Sequence, residues 1–206
     1  ANNAGGVLGR RIHFVMEDDR GTPEEAQTVV TRLITKYGVT AILGETTSSR
    51  TLAAAPIAQQ SRIPMVTPVS TNPRVTQVGD YIFRTSFTDA FTSFLMAKFV
   101  SNDLSIKRLA ILRDIRNDYS VDLADVFTQD FKKRDGIVVA DESYGEGDTN
   151  FSAQLTKIKS RNPQAIFVPG YYTEVGLIAR QARQLGLTIP LLGGGSWDSP
   201  KLLEIG

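Results

Sequence analysis

Hydrophobic positions along this chain recur with two alternating periods, which predict strands and helices in turn. Residues 11–17, RIHFVME, alternate and then run apolar as a strand does, and the turn DDRGTPEE follows them. In that turn Thr22 is predicted to cap a helix, because Pro23 falls in the first helical turn and Glu25 completes a capping box. The helix then continues on one apolar face up to Gly38, through Ala26, Val29, Val30, Leu33 and Tyr37.

The same succession of elements repeats through the rest of the chain. Each helix is followed by a short connection and another apolar strand, which is typical of parallel sheets covered by helices on both faces. The pattern predicts strands at 39–45, 63–70, 109–112, 137–140, 165–168 and 189–192, and further helices at 51–60, 91–100, 122–132, 151–159 and 174–185. The predicted fold class is therefore α/β.

A polar stretch, RTSFTDAF, interrupts this alternation near the middle of the chain. Two half-length sheets fit 206 residues better than one long sheet. The sequence therefore predicts two Rossmann-like lobes, the first spanning residues 1–86 and the second residues 87–206.

Composition and charge narrow the classes of partner. Lys and Arg number 23 against 22 Asp and Glu, and a net charge of +1 gives no electrostatic reason to expect nucleic acid. No apolar run approaches the roughly 18 residues of a membrane span, and no signal-peptide pattern is present. Cysteine is absent, which removes disulfides and thiolate chemistry and leaves the compartment undecided. Small neutral or zwitterionic ligands remain.

Ligands of parallel α/β sheets bind beyond the carboxyl ends of the strands, so the loops there are the candidate sites. In GETTSSR, Ser48 and Ser49 follow a strand and open a helix, where unpaired N–H groups and the helix dipole favour an anion. A serine hydroxyl at this position can donate to a carboxylate. Ser48 can also serve as an ordinary helix cap, which this stretch alone favours, and both interpretations stay open.

Three further loops offer polar groups at corresponding strand ends. TPVSTNP carries Ser70 and Thr71 one strand later, although such clusters also simply make turns. In the second half, Tyr119 and Tyr171 follow strands, and a tyrosine there can cover an apolar ligand or merely pack. The glycine run GGGSWDSP adds a flexible turn with Trp197 and Asp198.

Patterns typical of enzymes are absent. The chain has no G-x-G-x-x-G after a strand, no phosphate-binding G-x-x-x-x-G-K-[ST] and no G-x-S-x-G elbow. The single histidine, His13, falls inside a predicted strand, so neither a histidine metal site nor a nucleophile with an adjacent base is expected. The sequence therefore predicts a non-enzymatic protein without metal or cofactor.

Several long stretches together resemble the periplasmic binding proteins of branched-chain amino acid ABC importers, which have the type I periplasmic binding fold. The resemblance covers essentially all 206 residues in order and is carried by EDDRGTPEEAQTVVTRLI, ILGETTSSRTLAAAPIAQQ, TPVSTNPRVT, DYSVDLADVF, GEGDTNFSAQLTKIKSRNPQAIFVPGYYTEVGLIARQARQLGL and LLGGGSWDSPKLLEIG. It implies a receptor, periplasmic or extracellular and exported by a signal peptide or lipid anchor in full-length form. Its two lobes would close on a small, aliphatic amino acid for delivery to a membrane permease.

The resemblance also implies roles for individual residues. Ser48 and Thr71 would bind the carboxylate and amine of the ligand, and the backbone around Val69 would accept from the amine. Tyr119 and Tyr171 would close from the second lobe.

This sequence departs from the family pattern at the amine. Where the family commonly has an acid, this chain has Gly195, so Glu45 or Asp198 would have to pair the ammonium, or the ligand would lack a free amine.

Compared with the family, the chain is expected to be incomplete at both ends. The family's first strand and helix and its later strands have no counterpart in these residues. We therefore expect open sheet edges that associate with a second copy, as a dimer or by domain swapping. The alternative to a transport receptor is a ligand-sensing domain of the same fold in a receptor or regulator.

Overall fold

The computed structural model describes all 206 residues, and the chain divides into two compact units. Unit 1 consists of residues 1–46, 50–69 and 74–85. Unit 2 consists of residues 47–49, 70–73 and 86–206. Two short segments from the first half therefore belong to unit 2, and they carry four of the predicted site residues.

Unit 1 contains a parallel sheet of three short strands, β1 (Ile42–Leu43), β2 (Met65–Thr67) and β3 (Ile82–Arg84), in the order β1-β2-β3. Helix α1 (Pro23–Thr35) precedes the sheet, and α2 (Ser48–Gln60) joins β1 to β2. The sheet aligns apolar residues in register, and alanines on α2 allow close packing against them. The core of unit 1 is formed by Ala26, Val30, Ile42, Ala54, Ala55, Ala58, Met65, Val75 and Ile82.

The predicted start of α1 is confirmed, but the capping box is only half formed, because the N–H of Thr22 donates to the carbonyl of Asp19 and not to the Glu25 side chain. The Thr22 hydroxyl accepts a hydrogen bond from the N–H of Glu25 at 3.2 Å, and Pro23 is the first helical residue. This bond satisfies one of the N–H groups that a helix start leaves unpaired.

Unit 2 contains a parallel sheet of four strands in the order β5-β4-β6-β7. The strands are β4 (Arg108–Asp114), β5 (Ile137–Tyr144), β6 (Ala165–Phe167) and β7 (Leu191–Leu192). Five helices accompany them: α3 (Asp89–Lys98), continued by a π-helical turn (Phe99–Asp103), α4 (Asp118–Lys132), α5 (Ser152–Ser160), α6 (Tyr172–Gln184) and α7 (Pro200–Ile205).

The central strand β4 is buried on both faces because its side chains alternate between two apolar clusters. Leu109 and Ile111 pack with residues of α3 and α4, whereas Ala110 and Leu112 pack with residues of α5 and α6. In the first cluster the Phe127 ring centroid lies 4.2 Å from that of Phe167 and 5.5 Å from that of Phe131. Parallel sheets with helices on both faces confirm the predicted fold class.

The strand predicted over Arg11–Glu17 is wrong. These residues form no strand; Phe14 is 66% exposed and Met16 is 91% exposed. An alternating pattern forms a strand only when another strand pairs with it, and no ladder reaches this segment. The backbone of Ile12 is bonded to the side chain of Asn2 at 2.7 and 2.8 Å, and Glu17 pairs with Arg32 at 2.7 Å. Two elements were not predicted, β3 and α7.

Replacing Phe127 should reduce stability strongly. Phe127→Ala removes a fully buried ring between two other rings, so we expect the free energy of unfolding to fall by about 3 to 5 kcal/mol in chemical denaturation. Phe87→Ala is the matched control, because Phe87 is 71% exposed and its loss should cost less than about 1 kcal/mol. Equal losses in the two variants would contradict this account of the core.

Candidate functional site

Two serines at the start of α2 have hydroxyl oxygens that accept backbone hydrogen bonds. Ser48 Oγ accepts from the N–H of Asn72 at 3.3 Å, and Ser49 Oγ accepts from the N–H of Asp118 at 2.9 Å. A serine hydroxyl has one proton as well as its lone pairs. Each of these serines therefore keeps its proton to donate, and Ser48 does so from a buried position, with 1% of its surface exposed.

The loop after β2 is fixed to two helices of unit 2. The buried side chain of Asn72 donates to the carbonyl of Asp118 at 3.5 Å and to the carboxylate of Asp122. The carbonyl of Ser70 accepts from Ser86 Oγ at 3.1 Å, and that of Thr71 accepts from the N–H of Asp89 at 3.0 Å. The predicted serines and this loop thus converge on the first turn of α4.

The two predicted tyrosines contact each other. The ring centroids of Tyr119 and Tyr171 are 5.5 Å apart. Tyr119 Oη is bonded to Ser196 Oγ at 3.0 Å, and Ser196 donates to the carbonyl of Gly170 at 2.8 Å. Burial raises the pKa of the Tyr119 hydroxyl to about 12, and the negative charge of Asp89 adds to the shift.

The glycine run after β7 is shaped by its neighbours. A Cβ on Gly193 would lie 2.0 Å from the Trp197 ring, and one on Gly194 would lie 2.4 Å from Tyr119 Oη. Both positions therefore require glycine. A Cβ on Gly195 would meet nothing within 4 Å, so a side chain fits there.

Glu45, a predicted amine partner, belongs to a charged cluster in unit 1. Arg50 Nε lies 3.0 Å from Asp19 Oδ2 and 3.5 Å from Glu45 Oε2. Burial, together with the hydrogen bond and negative charge of Asp19, raises the pKa of Glu45 to about 7. Burial alone would also raise the pKa of Asp19, but bonds from Glu45 and Gly21 and the charge of Arg50 lower it overall.

The structure thus brings five predicted residues together in unit 2, within residues 47–49, residues 70–73 and the start of α4. They are Ser48, Ser49, Ser70, Thr71 and Tyr119. Tyr171 joins them through its ring contact with Tyr119. Val69 lies in unit 1 and is 53% exposed, and Asp198 ends the short helical turn at Gly195–Trp197. The roles of all these residues in binding stay predictions.

Sequence reasoning missed four residues of this region: Asn72, Asp89, Asp122 and Ser196. Asn72 and Ser196 stand inside motifs that were singled out, TPVSTNP and GGGSWDSP, so proximity to those motifs was the available signal. Nothing local in the sequence joins Asn72 to Asp122, which lies 50 residues away. No group of three or more His, Asp or Glu side chains is placed to hold a metal ion.

A family model described as periplasmic binding protein matches residues 1–206, which is the whole chain. The chain belongs to the periplasmic binding protein family. The expected resemblance to binding proteins of branched-chain amino acid importers is confirmed by the names of the relatives below. None of the helices of this family member is both long enough and apolar enough to cross a membrane.

Three similar proteins illustrate the match. Leu/Ile/Val-binding protein homolog 3 of Brucella melitensis is 29% identical over all of this chain and 55% of its own length. The crystal structure of the leucine-binding protein LivK of Thermotoga maritima has 44% identity and a TM-score of 0.95, with 100% of this chain and 58% of that one covered. Streptococcus pneumoniae LivJ in complex with isoleucine has 36% identity and a TM-score of 0.93, with 99% and 58% covered. The chain spans little more than half the length of these relatives.

The charged cluster predicts a pH-dependent stability. In the unfolded chain Glu45 ionises near its ordinary pKa of 4.5, whereas the folded chain holds the proton up to a pH of about 7, so stability falls as the pH rises between these values. Glu45→Gln removes this loss. Chemical denaturation at a series of pH values should show the free energy of unfolding of the variant rising relative to that of the wild type. The difference should be on the order of 2 kcal/mol above a pH of about 7.

Glu204→Gln, on the exposed face of α7, is the control and should keep the pH dependence of the wild type. A Glu45→Gln variant that follows the wild-type pH profile would show that the carboxyl is not held protonated by the fold.

Proposed function

We propose that this chain belongs to the solute-binding component of an ABC importer and binds a small aliphatic amino acid, such as a branched-chain one, without chemical change. The observation that carries the proposal is the pair of backbone hydrogen bonds accepted by Ser48 Oγ and Ser49 Oγ. Both serine oxygens accept a hydrogen bond from a backbone N–H group, so both hydroxyl protons can be donated to a carboxylate.

The magnitudes suit reversible capture. A hydrogen bond to a charged group contributes about 1.5 to 3 kcal/mol, and the start of a helix such as α2 adds on the order of 1 kcal/mol for an anion. Micromolar affinity corresponds to about 8 kcal/mol. Two serines, the helix start and Thr71 together reach this range before any apolar contact is counted.

The ligand class is supported by the relatives. The Brucella relative is named for Leu, Ile and Val, the Thermotoga structure for leucine, and the Streptococcus structure contains isoleucine. The paired rings of Tyr119 and Tyr171 offer apolar surface of the kind that covers an aliphatic side chain. We propose a membrane permease as the partner of the protein. We also propose that the protein works, after export, in the periplasm or at the extracellular face.

Replacing Thr71 should weaken amino acid binding. Thr71→Ala removes a hydroxyl from the loop after β2, so the dissociation constant for leucine should rise at least about tenfold in isothermal titration calorimetry. Thr156→Ala is the matched control, because the Thr156 hydroxyl donates to the Ser152 carbonyl on the exposed face of helix α5. Unchanged affinity in Thr71→Ala would remove this residue from the site, and no leucine binding by the wild type would overturn the proposed function.

We also propose that this chain self-associates through the open side of β1. Strand β1 is the edge of its sheet, and its Leu43 is 73% exposed, as are the apolar side chains of Leu8 at 96% and Met16 at 91%. Unpaired strand edges with apolar side chains attract another strand. The occupant that fits is the same edge of a second copy.

Size-exclusion chromatography with light scattering should give a mass above that of one chain at micromolar concentration. Leu43→Lys places a charge on the edge and should shift the population towards monomer. Leu203→Lys, at an 87% exposed position on α7, is the control and should leave the mass unchanged. A monomeric wild type at these concentrations would contradict self-association.

A further inference from the structure

The hydroxyl of Tyr119 takes part in a chain of two hydrogen bonds whose direction is fixed. Ser196 Oγ lies 2.8 Å from the carbonyl oxygen of Gly170 and 3.0 Å from Tyr119 Oη. A carbonyl can only accept, and a serine hydroxyl has a single proton. Ser196 therefore gives its proton to Gly170, and Tyr119 must donate its own proton to Ser196.

This direction determines what Tyr119 can offer to a ligand. The phenol has one proton, which Ser196 takes, so the oxygen presents only lone pairs to any other group. A tyrosine hydroxyl is protonated at neutral pH, and burial raises the pKa of Tyr119 further, to about 12, so this acceptor carries no charge. A carboxylate cannot bind to such an oxygen, whereas an N–H donor can.

The surrounding turn holds this arrangement in place. Trp197 Nε1 donates to the carbonyl of Val168 at 3.2 Å and fixes the turn beside β6. Gly194 leaves room for the phenolic oxygen, since a Cβ there would lie only 2.4 Å away. Tyr119 itself is 7% exposed, so most of its side chain is packed within unit 2.

The hydroxyl groups of the candidate site thus differ in hydrogen-bond character. Ser48 and Ser49 keep protons to donate, which suits a carboxylate. Tyr119 keeps lone pairs to accept, which suits an ammonium group. This difference matters because position 195, where the sequence resemblance led us to expect an acid facing the amine, is a glycine.

We propose that Ser196 is a positioning residue that makes Tyr119 a neutral acceptor for the ligand's ammonium group, so that the protein selects amino acids over carboxylic acids without an amine. The inference rests on the proposed function and specifies how the amine is recognised. It assigns to Tyr119 and Ser196 the role that a carboxylate at position 195 would otherwise have.

The test compares two ligands that differ only in the amine. Leucine and its deaminated analogue isocaproate are titrated calorimetrically into the wild type and into Ser196→Ala. The wild type should prefer leucine. In Ser196→Ala the Tyr119 proton is released to donate to a carboxylate, so the ratio of the two affinities should fall at least about tenfold.

A purely structural role for Ser196 would weaken both ligands equally and leave the ratio unchanged, which would overturn the inference. Ser199→Ala is the matched control, because the Ser199 hydroxyl caps α7 and does not bond to Tyr119. Its ratio should equal that of the wild type.

Two further variants keep the test decisive if Ser196→Ala does not fold. Tyr119→Phe removes the acceptor itself and should weaken leucine binding while leaving isocaproate binding nearly unchanged. Gly195→Glu places a carboxylate in open space and should raise the preference for leucine in the Tyr119→Phe background. If the wild type binds leucine and Tyr119→Phe has the same ratio of affinities as the wild type, this inference alone is overturned. If the wild type binds neither ligand, the proposed function is overturned with it.

Discussion

The candidate site depends on two backbone hydrogen bonds that reach across long stretches of the sequence, from Asn72 to Ser48 and from Asp118 to Ser49. Each bond satisfies a backbone N–H group of the loop after β2 or of the start of α4. Each also occupies a lone pair of a serine oxygen and leaves the hydroxyl proton available. The bond from Asp118 to Ser49, together with the bond from the Asn72 side chain to the Asp118 carbonyl, fastens residues 47–49 and 70–73 to α4. Stability and ligand chemistry therefore rest on the same few contacts.

Local chemistry was enough to predict most of the architecture. The hydroxyl cap at Thr22 and the alternation of strands and helices after it depend on residues close together in sequence, and both were correct apart from the missed β3 and α7. The segment from Arg11 to Glu17 failed for a physical reason. A strand forms only when it pairs with a neighbouring strand, and its own side-chain pattern does not show whether such a neighbour is present. Ile12, Phe14 and Met16 of this segment are instead exposed.

The site was predictable to a lesser degree. Ser48, Ser49, Ser70 and Thr71 stand at strand ends, where the topology of a parallel sheet concentrates polar loops. The contacts that orient them were not predictable, because Tyr119 meets Ser196 across 77 residues of sequence. Such pairings arise only once the sheet order β5-β4-β6-β7 has brought the loops together.

The three consecutive glycines after β7 differ in what they tolerate. Gly193 and Gly194 are held by the bulk of Trp197 and the Tyr119 hydroxyl, while Gly195 borders empty space. The shape of this turn and the charge that it can carry therefore depend on different glycine positions. Descendants of this protein can acquire or lose a charged side chain at the third glycine in one mutational step, while the two others preserve the turn unchanged.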